Sequence, residues 1–415
     1  METAAAAAAR KSATSSGLTV LSNRLTKKLS ASRSQNLVFS PLSIHAALSL
    51  VAAGAQGRTL SELLELLGAS TREGLATDVR GLLDRAVPAD APQEPGGPRV
   101  AFASGLWHDA TRPLTPAYRD VATASFRAVA RAVDFLTKPE EACKQINRWV
   151  AAATNNLIRS IVDEGSSAIN KDTRLVVANA IYFKGAWERP VVDAQFMRSG
   201  RDQFIGVHDG FKVLRMPYEI GGGSRPLQGM LWREAMAAVP PARAMKMTTV
   251  PPPRYSMCVL LPDARDGLWS LEEKVALSGP AFLRDHMPRH RVEVGDFRVP
   301  KFKLSYSASV KGALRDLGVK AAFGGGAELP DMLLEVDGEP LFVADVLHKA
   351  VIEVDEEGTE AAAVTGAFMA AGCAMPREPP ARVDFVADHP FAFLVVEEVS
   401  GAILFAGHVL DPTKS

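Results

Sequence analysis

The sequence predicts an α+β fold, and three observations carry that prediction. Apolar residues recur at helical spacing through most of the first 160 residues. From Leu175 onward the pattern changes to alternation and short apolar runs, the mark of strands. No internal repeat is visible, which removes solenoids and propellers. Helices first and strands later means segregation, not the alternating units of a doubly wound parallel sheet.

Taken in order, residues 1–17 read as a flexible tail. Six alanines follow Thr3, but no Leu/Val-rich stretch stands behind a basic start, so this is a poor secretory signal. Leu18, Leu21, Leu25 and Leu29 then form one helical stripe with Lys and Arg opposite. NLVFSPLSIHAALSLVAAGAQG reads as a short buried strand entering a helix, with Ser40 as N-cap, Pro41 in the first helical position and Gly54/Gly57 as the stop. Thr59 and Glu62 read as a capping box ahead of LLELL. Further helices are predicted at Pro116–Ala130 and Pro139–Ile158.

LVVANAIYF is nearly continuous in apolar residues, as in a strand covered on both faces. FKVLRMPY, RYSMCVLLP, VEVGDFRVPKFKLSYS and LHKAVIEVDEE continue the strand pattern, with SLEEKVAL and VKGALRDLG as interposed helices. The end reads as strand, turn, long strand, Ser-Gly turn, strand. Gly221–Pro253 fits none of this: GGG, three consecutive prolines and four Met with no period describe a long excursion.

At 415 residues and 47% hydrophobic, the chain can bury a sizeable core as one large domain or a few smaller ones. Lys+Arg and Asp+Glu balance at 47 each, which argues against a nucleic-acid binder or a basic membrane-surface protein. No run of 18 apolar residues is available to span a bilayer. Cys143, Cys258 and Cys373 are too few and too scattered for a disulfide framework or a CxxC metal pair. Free thiols without a signal favour a reducing compartment, cytosol or nucleus.

Enzyme signatures are missing. No G-x-S-x-G elbow, H-E-x-x-H helix, Walker loop or G-x-G-x-x-G follows a strand. His286 and His290 are four apart, but Pro288 lies between them, so no helical ligand pair forms. His45 and His348 sit in apolar surroundings and read as core histidines. No metal or cofactor is expected.

The informative segment is Glu356–Arg382, between the strands HKAVIEVD and VDFVADH. A loop of that length in a compact domain is functional or disordered, and composition alone also fits a surface linker. Its first half is unlike a linker. At a period of two, Thr359, Ala361, Ala363, Thr365 and Ala367 share a face, all small or β-branched. Such a run could become a central strand without forcing bulk into a sheet, which describes a loop able to switch state.

The hinge GTEAAAVT, the helix start FSPLSIHAALSLVAAGA, the strand NAIYFKGAW, the segment VPKFKLSY and the ending DFVADHPFAFLVVEE…ILFAGHVLDP together resemble the serpin family. NLVFSPLSIHAAL, LLPDARDGL and DFVADHPF look like plant serpins in particular. The resemblance implies one serpin domain over 18–412: helices around a large central mixed sheet plus two smaller sheets, with a reactive-centre loop at 356–382 exposed. It implies no catalytic activity of its own. A target protease cleaves the loop and forms an acyl-enzyme; the cut loop then inserts into the central sheet and the protease is trapped.

Carried over by residue, Gly358, Thr359 and Glu360 match the hinge, and Ala361, Ala362, Ala363 and Val364 the small-residue stretch of inhibitory members. Ser40, Ser43, Asn179 and His348 match the shutter under the sheet, and Trp187 the breach where the loop enters. Counting from the hinge puts the scissile bond at Gly372–Cys373; counting back from Asp384-Phe385 puts it nearer Ala374–Met375. None of these is Arg or Lys, so the resemblance implies an elastase-like or papain-like target over a trypsin-like one. It further implies a monomer, and delivery outside the cell without a classical signal as an alternative to the cytosol.

Three positions depart from the family. The stretch 188–196 is shortened where strands of the supporting sheet usually lie, and 221–253 replaces a short turn. His408 stands where relatives commonly have Arg. The first departure makes a non-inhibitory serpin-fold protein, a protease substrate or binding scaffold, the alternative expectation.

Overall fold

The computed structural model of the chain describes residues 4–88, 98–163, 169–185, 196–199, 202–218, 252–279, 281–334, 341–354 and 382–414. The first half runs α1 (Ala4–Leu29), β1 (Leu37–Phe39), α2 (Pro41–Ala53), α3 (Gly57–Leu67), α4 (Arg72–Ala86), β2 (Arg99–Asp109), α5 (Pro116–Phe126), β3 (Ala128–Val133) and α6 (Pro139–Ala153). Then come β4 (Leu175–Lys184), β5 (Phe196–Arg198), β6 (Phe204–His208), β7 (Phe211–Pro217), β8 (Tyr255–Pro262), α7 (Leu268–Leu277), α8 (Ala281–His286), β9 (Val294–Pro300) and β10 (Phe302–Ser309). The chain closes with α9 (Lys311–Asp316), β11 (Asp345–Val354), β12 (Val383–Val386), β13 (Phe391–Glu397) and β14 (Ile403–Val409).

The strands form three sheets. A mixed sheet has the order β10-β11-β4-β2-β3 and carries the longest strands. A six-stranded sheet is ordered β1-β14-β13-β8-β7-β6, and a three-stranded one β12-β9-β5. The predicted class and three-sheet plan therefore hold, although the mixed sheet has five strands and its neighbour six.

Helix α2 lies between the two larger sheets, packing on β14 and on β4 and β11. It is buried from Pro41 to Ala52, which is why its sequence is apolar on every side. The opposite face of the mixed sheet is covered by α6, through Ile146, Trp149 and Val150 against Trp107, Val176 and Tyr182. Strand β4 is thus sealed on both faces, as its continuous apolar run foretold.

Several local expectations change. Helix α1 starts at Ala4, so residues 4–17 belong to a helix rather than a tail, in keeping with alanine's helical preference. The mixed sheet takes β2 and β3 from the nominally helical half; the Ala, Ser and Gly in RVAFASGLWHD had hidden β2. The helices predicted to Ala130 and Ile158 stop at Phe126 and Ala153.

The capping box also fails. Helix α3 begins at Gly57, and its amides at Arg58 and Thr59 donate to the Glu328 carboxylate at 2.6 and 3.4 Å. Thr59 Oγ1 accepts from the Glu328 amide, while Glu62 takes the amides of Lys320 and Ala321. A distant loop caps this helix, so a purely local rule could not see it.

His286 ends α8 ahead of Pro288, and among the described residues no His/Cys/Asp/Glu group could hold a metal ion. No helix among them is long and apolar enough to cross a membrane.

Candidate functional site

The site is a seam. Strands β4 and β11 run parallel and pair directly, with Asp345–Glu353 in register with Val176–Lys184. At His348↔Asn179 the seam carries a polar lock on the α2 face. Ser40, the N-cap of α2, accepts the Ser43 amide on its side chain at 3.1 Å and aims its own amide at His348 Nε2, 3.0 Å away. Nε2 is therefore the acceptor nitrogen, and the proton sits on Nδ1. Nδ1–H donates to Asn179 Oδ1 at 2.6 Å, and the Ser43 hydroxyl donates to the same oxygen at 3.0 Å. The histidine orients the amide without ambiguity: only an oxygen can receive that proton.

All four side chains are buried. Burial pushes the His348 pKa from 6.5 down to about 3, so the ring is neutral at any physiological pH. The lock is made of neutral hydrogen bonds, which can be exchanged without burying a bare charge. Asn179 Nδ2 is buried with no hydrogen-bond partner, and so is Ser104 Oγ on the adjoining strand at the same register level. The seam keeps an unused donor beneath it.

Five residues further along both strands, about 17 Å on, a charged clasp closes the other face. Glu353 of β11 receives Lys184 of β4 at 3.0 Å, Lys303 of β10 at 3.2 Å and the Tyr182 hydroxyl at 3.1 Å. Burial works to raise the Glu353 carboxyl, but its lysine donors hold it below the usual carboxylate range. Burial and that carboxylate push Tyr182 up to about 12. Glu353→Lys would place three ammonium groups on neighbouring strands. We expect faster amide exchange across β11 than in the parent, read by mass spectrometry; unchanged exchange would show that the clasp contributes nothing to the seam.

His45 behaves as the sequence suggested, a buried core residue that burial lowers to about 4. It and His348 make a pH prediction. Both are depressed on folding, so between about pH 6.5 and 4 the unfolded chain binds protons that the native one does not. Stability is full above pH 6.5 and falls as pH drops, by about 1.4 kcal/mol per unit for each histidine. Urea midpoints from pH 7.5 to 4.5 should decline, and a flat profile would contradict neutral burial. His408 is held too, by Glu272 at 2.8 Å, the Gln35 carbonyl at 3.1 Å and an edge contact with Trp269.

The structure brings Ser40, Ser43, Asn179 and His348 together in one hydrogen-bonded group. Trp187, the hinge residues Gly358–Val364, the reactive-bond candidates Gly372, Cys373, Ala374 and Met375, and both irregular segments except Pro252, Pro253 and Phe196 lie outside the described residues. The clasp was missed. Its one signal was a charged residue at or next to the end of each of two apolar runs, IYFK and VIEV.

The position of the seam in the chain is what distinguishes it. Strand β11 ends at Val354 at the clasp end, and the chain reappears at β12 in a different sheet, parallel to β9.

A family model described as "Serpin (serine protease inhibitor)" matches residues 16–412. The chain is 55% identical over 429 aligned residues to "Putative serpin-Z6C" of Oryza sativa subsp. japonica, covering 96% of this chain and 97% of that one. It is 46% identical to serpin-Z2A of the same rice, with 96% and 97% covered. Among solved structures it is similar to Arabidopsis AtSerpin1 in its native stressed conformation, at 32% identity and TM-score 0.82 over 97% of this chain and 99% of that one. Uncleaved ovalbumin, at 20% identity and TM-score 0.76, shares the fold, covering 96% of this chain and all of the other. The chain that carries this lock and this parallel seam belongs to the serpin family.

Proposed function

We propose that this serpin inhibits a protease by trapping it as a covalent acyl-enzyme. The protease nucleophile attacks a scissile carbonyl in the loop, at Gly372 or nearer Ala374. The peptide bond breaks, the amine of the next residue leaves, and the loop's N-terminal part stays attached to the protease as an ester or thioester. The freed segment turns back from Val354 and enters between β11 and β4.

One observation carries this reading: β11 and β4 are parallel and directly bonded. A segment returning from the end of β11 runs antiparallel to both. Insertion then replaces one parallel ladder by two antiparallel ones, the more stable pairing per residue. The small alternation at Thr359–Ala367 suits entry between faces already packed by α2 and α6. The lock must yield at His348–Asn179, and its neutral bonds and spare Asn179 donor suit that exchange.

The small and apolar candidates at the cleavage site favour a protease with a small or open specificity pocket, elastase-like or papain-like. Incubation with such an enzyme should leave a complex that survives SDS, with association faster than for trypsin. A cleaved band without complex would support the substrate reading, which the three-residue strand β5 favours. Fastest trapping of trypsin would reject the target class.

A further inference from the structure

On the far side of the mixed sheet, strand β2 is incompletely partnered. It pairs with β4 from Arg99 to His108, but β3 covers its other edge only from Ser104 onward. Among the described residues, 99–103 therefore present an open edge. In an antiparallel pair every second residue points both its N–H and its C=O away from the partner, so this edge offers a repeating set of donors and acceptors.

The open edge forms one wall of a cavity of about 500 Å³. The end of α4 at Val87 and Pro88, the start of β3 and the end of α6 complete it. Val129 and Leu157, each 37% exposed, belong to the lining and are among the more exposed large apolar residues described. Ser104, 2% exposed and with its hydroxyl unpartnered, lines the cavity where β3 takes over the edge. Trp149 lines both this cavity and a second groove bordered by Arg131 and Arg148.

The charge is one-sided. Arg99 and Arg127 are the charged residues lining the cavity, and the adjoining groove adds two more arginines. Arg127 and Arg148 are paired with Asp84 and Glu141, whereas no ion pair among the described residues reaches Arg99. Arg99 also stands at the end of a cross-strand row, Lys303–Glu353–Lys184–Arg99, in which one carboxylate faces three cations. Directly opposed like charges in a sheet are unfavourable, so this end of the row favours an added anion.

We propose that the edge at 99–103 is a docking site for an extended acidic peptide of a partner protein. The peptide adds a short strand beside β2, places a carboxylate on Arg99 and sets its apolar side chains against Val129 and Leu157. Main-chain bonds supply affinity and the alternating side chains supply selectivity, as in other strand additions. Nothing at this edge depends on loop insertion, so its occupancy is read independently of protease trapping.

The probe is fluorescein-labelled acetyl-Asp-Glu-Val-Thr-Val-amide, whose Asp and two Val side chains share one face of an extended strand, titrated against the full chain with polarisation and amide exchange as readouts. Binding should slow exchange in residues 99–103. The same peptide N-methylated at both valines, and the variant Arg99→Glu, should each bind at least ~10-fold more weakly, about 1.4 kcal/mol. Arg99 is exposed, so this variant is expected to keep the parent's circular dichroism. Equal binding of the N-methylated peptide overturns strand addition, and so does competition by decanoate without protection of 99–103, which would mark a pocket for small amphiphilic acids. No binding of the unmodified peptide at millimolar concentration also overturns the proposal.

Discussion

On the proposed trapping mechanism, Thr359→Arg is expected to leave a protease substrate in place of an inhibitor. Thr359 heads the small-residue face of the loop, and its alternation with Ala361, Ala363 and Thr365 assigns all four to one side of an inserted strand. Both sides of the β4–β11 seam are packed, by α2 on one face and by the cluster under α6 on the other. A guanidinium at 359 enters at the clasp end of the seam, where the Glu353 carboxylate is already shared by Lys184 and Lys303. The cost of burying such a charge unpaired is several kcal/mol. Insertion competes with hydrolysis of the acyl-enzyme, so a slower entry lets water win. With an elastase-like protease the parent should give an SDS-stable complex, and the variant nearly quantitative cleavage with active protease released. Complex yield equal to the parent's would reject insertion through the hinge.

His348→Ala is expected to be the most destabilising single change at the lock. It removes the acceptor for the Ser40 amide and the donor to Asn179 Oδ1 together, and leaves a cavity under the seam. Each stranded buried group costs about 1–3 kcal/mol, with the cavity in addition, so a loss of roughly 3 kcal/mol or more is expected. Urea unfolding followed by tryptophan fluorescence measures it. His348→Gln, which retains a donor and an acceptor, should recover part of the loss. If Gln is no better than Ala, the hydrogen bonds are not what the ring contributes.

Much of the site's raw material was legible along the chain. Ser40 and Pro41 announced the start of α2 because capping is decided within three residues, and the structure shows the Ser43 amide on Ser40 as expected. The unbroken apolar run of β4 announced burial on both faces. Proline between His286 and His290 excluded a helical pair, and α8 stops at His286. Motif order along the chain, compared with a family pattern, identified Asn179 and His348. No local rule could pair them, since 169 residues separate the two.

What stayed hidden was what neighbours decide. Glu328 caps α3 from 270 residues away, so Thr59 and Glu62 suggested a box that the folded chain uses otherwise. Strand β2 has weak intrinsic preference and becomes a strand because β4 lies beside it. Glu353, Lys184 and Lys303 form a clasp only through the register of three strands.

By itself the sequence determined the α+β class, the buried helix and strand, and a run of small side chains at 359–367. These follow from periodicity, capping and side-chain volume, properties of residues a few positions apart. The tertiary structure decided that β11 lies parallel to β4, that the lock and clasp face opposite sides of their seam, and that among the described residues β3 covers β2 only from Ser104 onward, with no ion pair at Arg99. Strand order and register are settled when distant segments close on one another, because backbone ladders accept any extended partner and burial over the whole core selects among them.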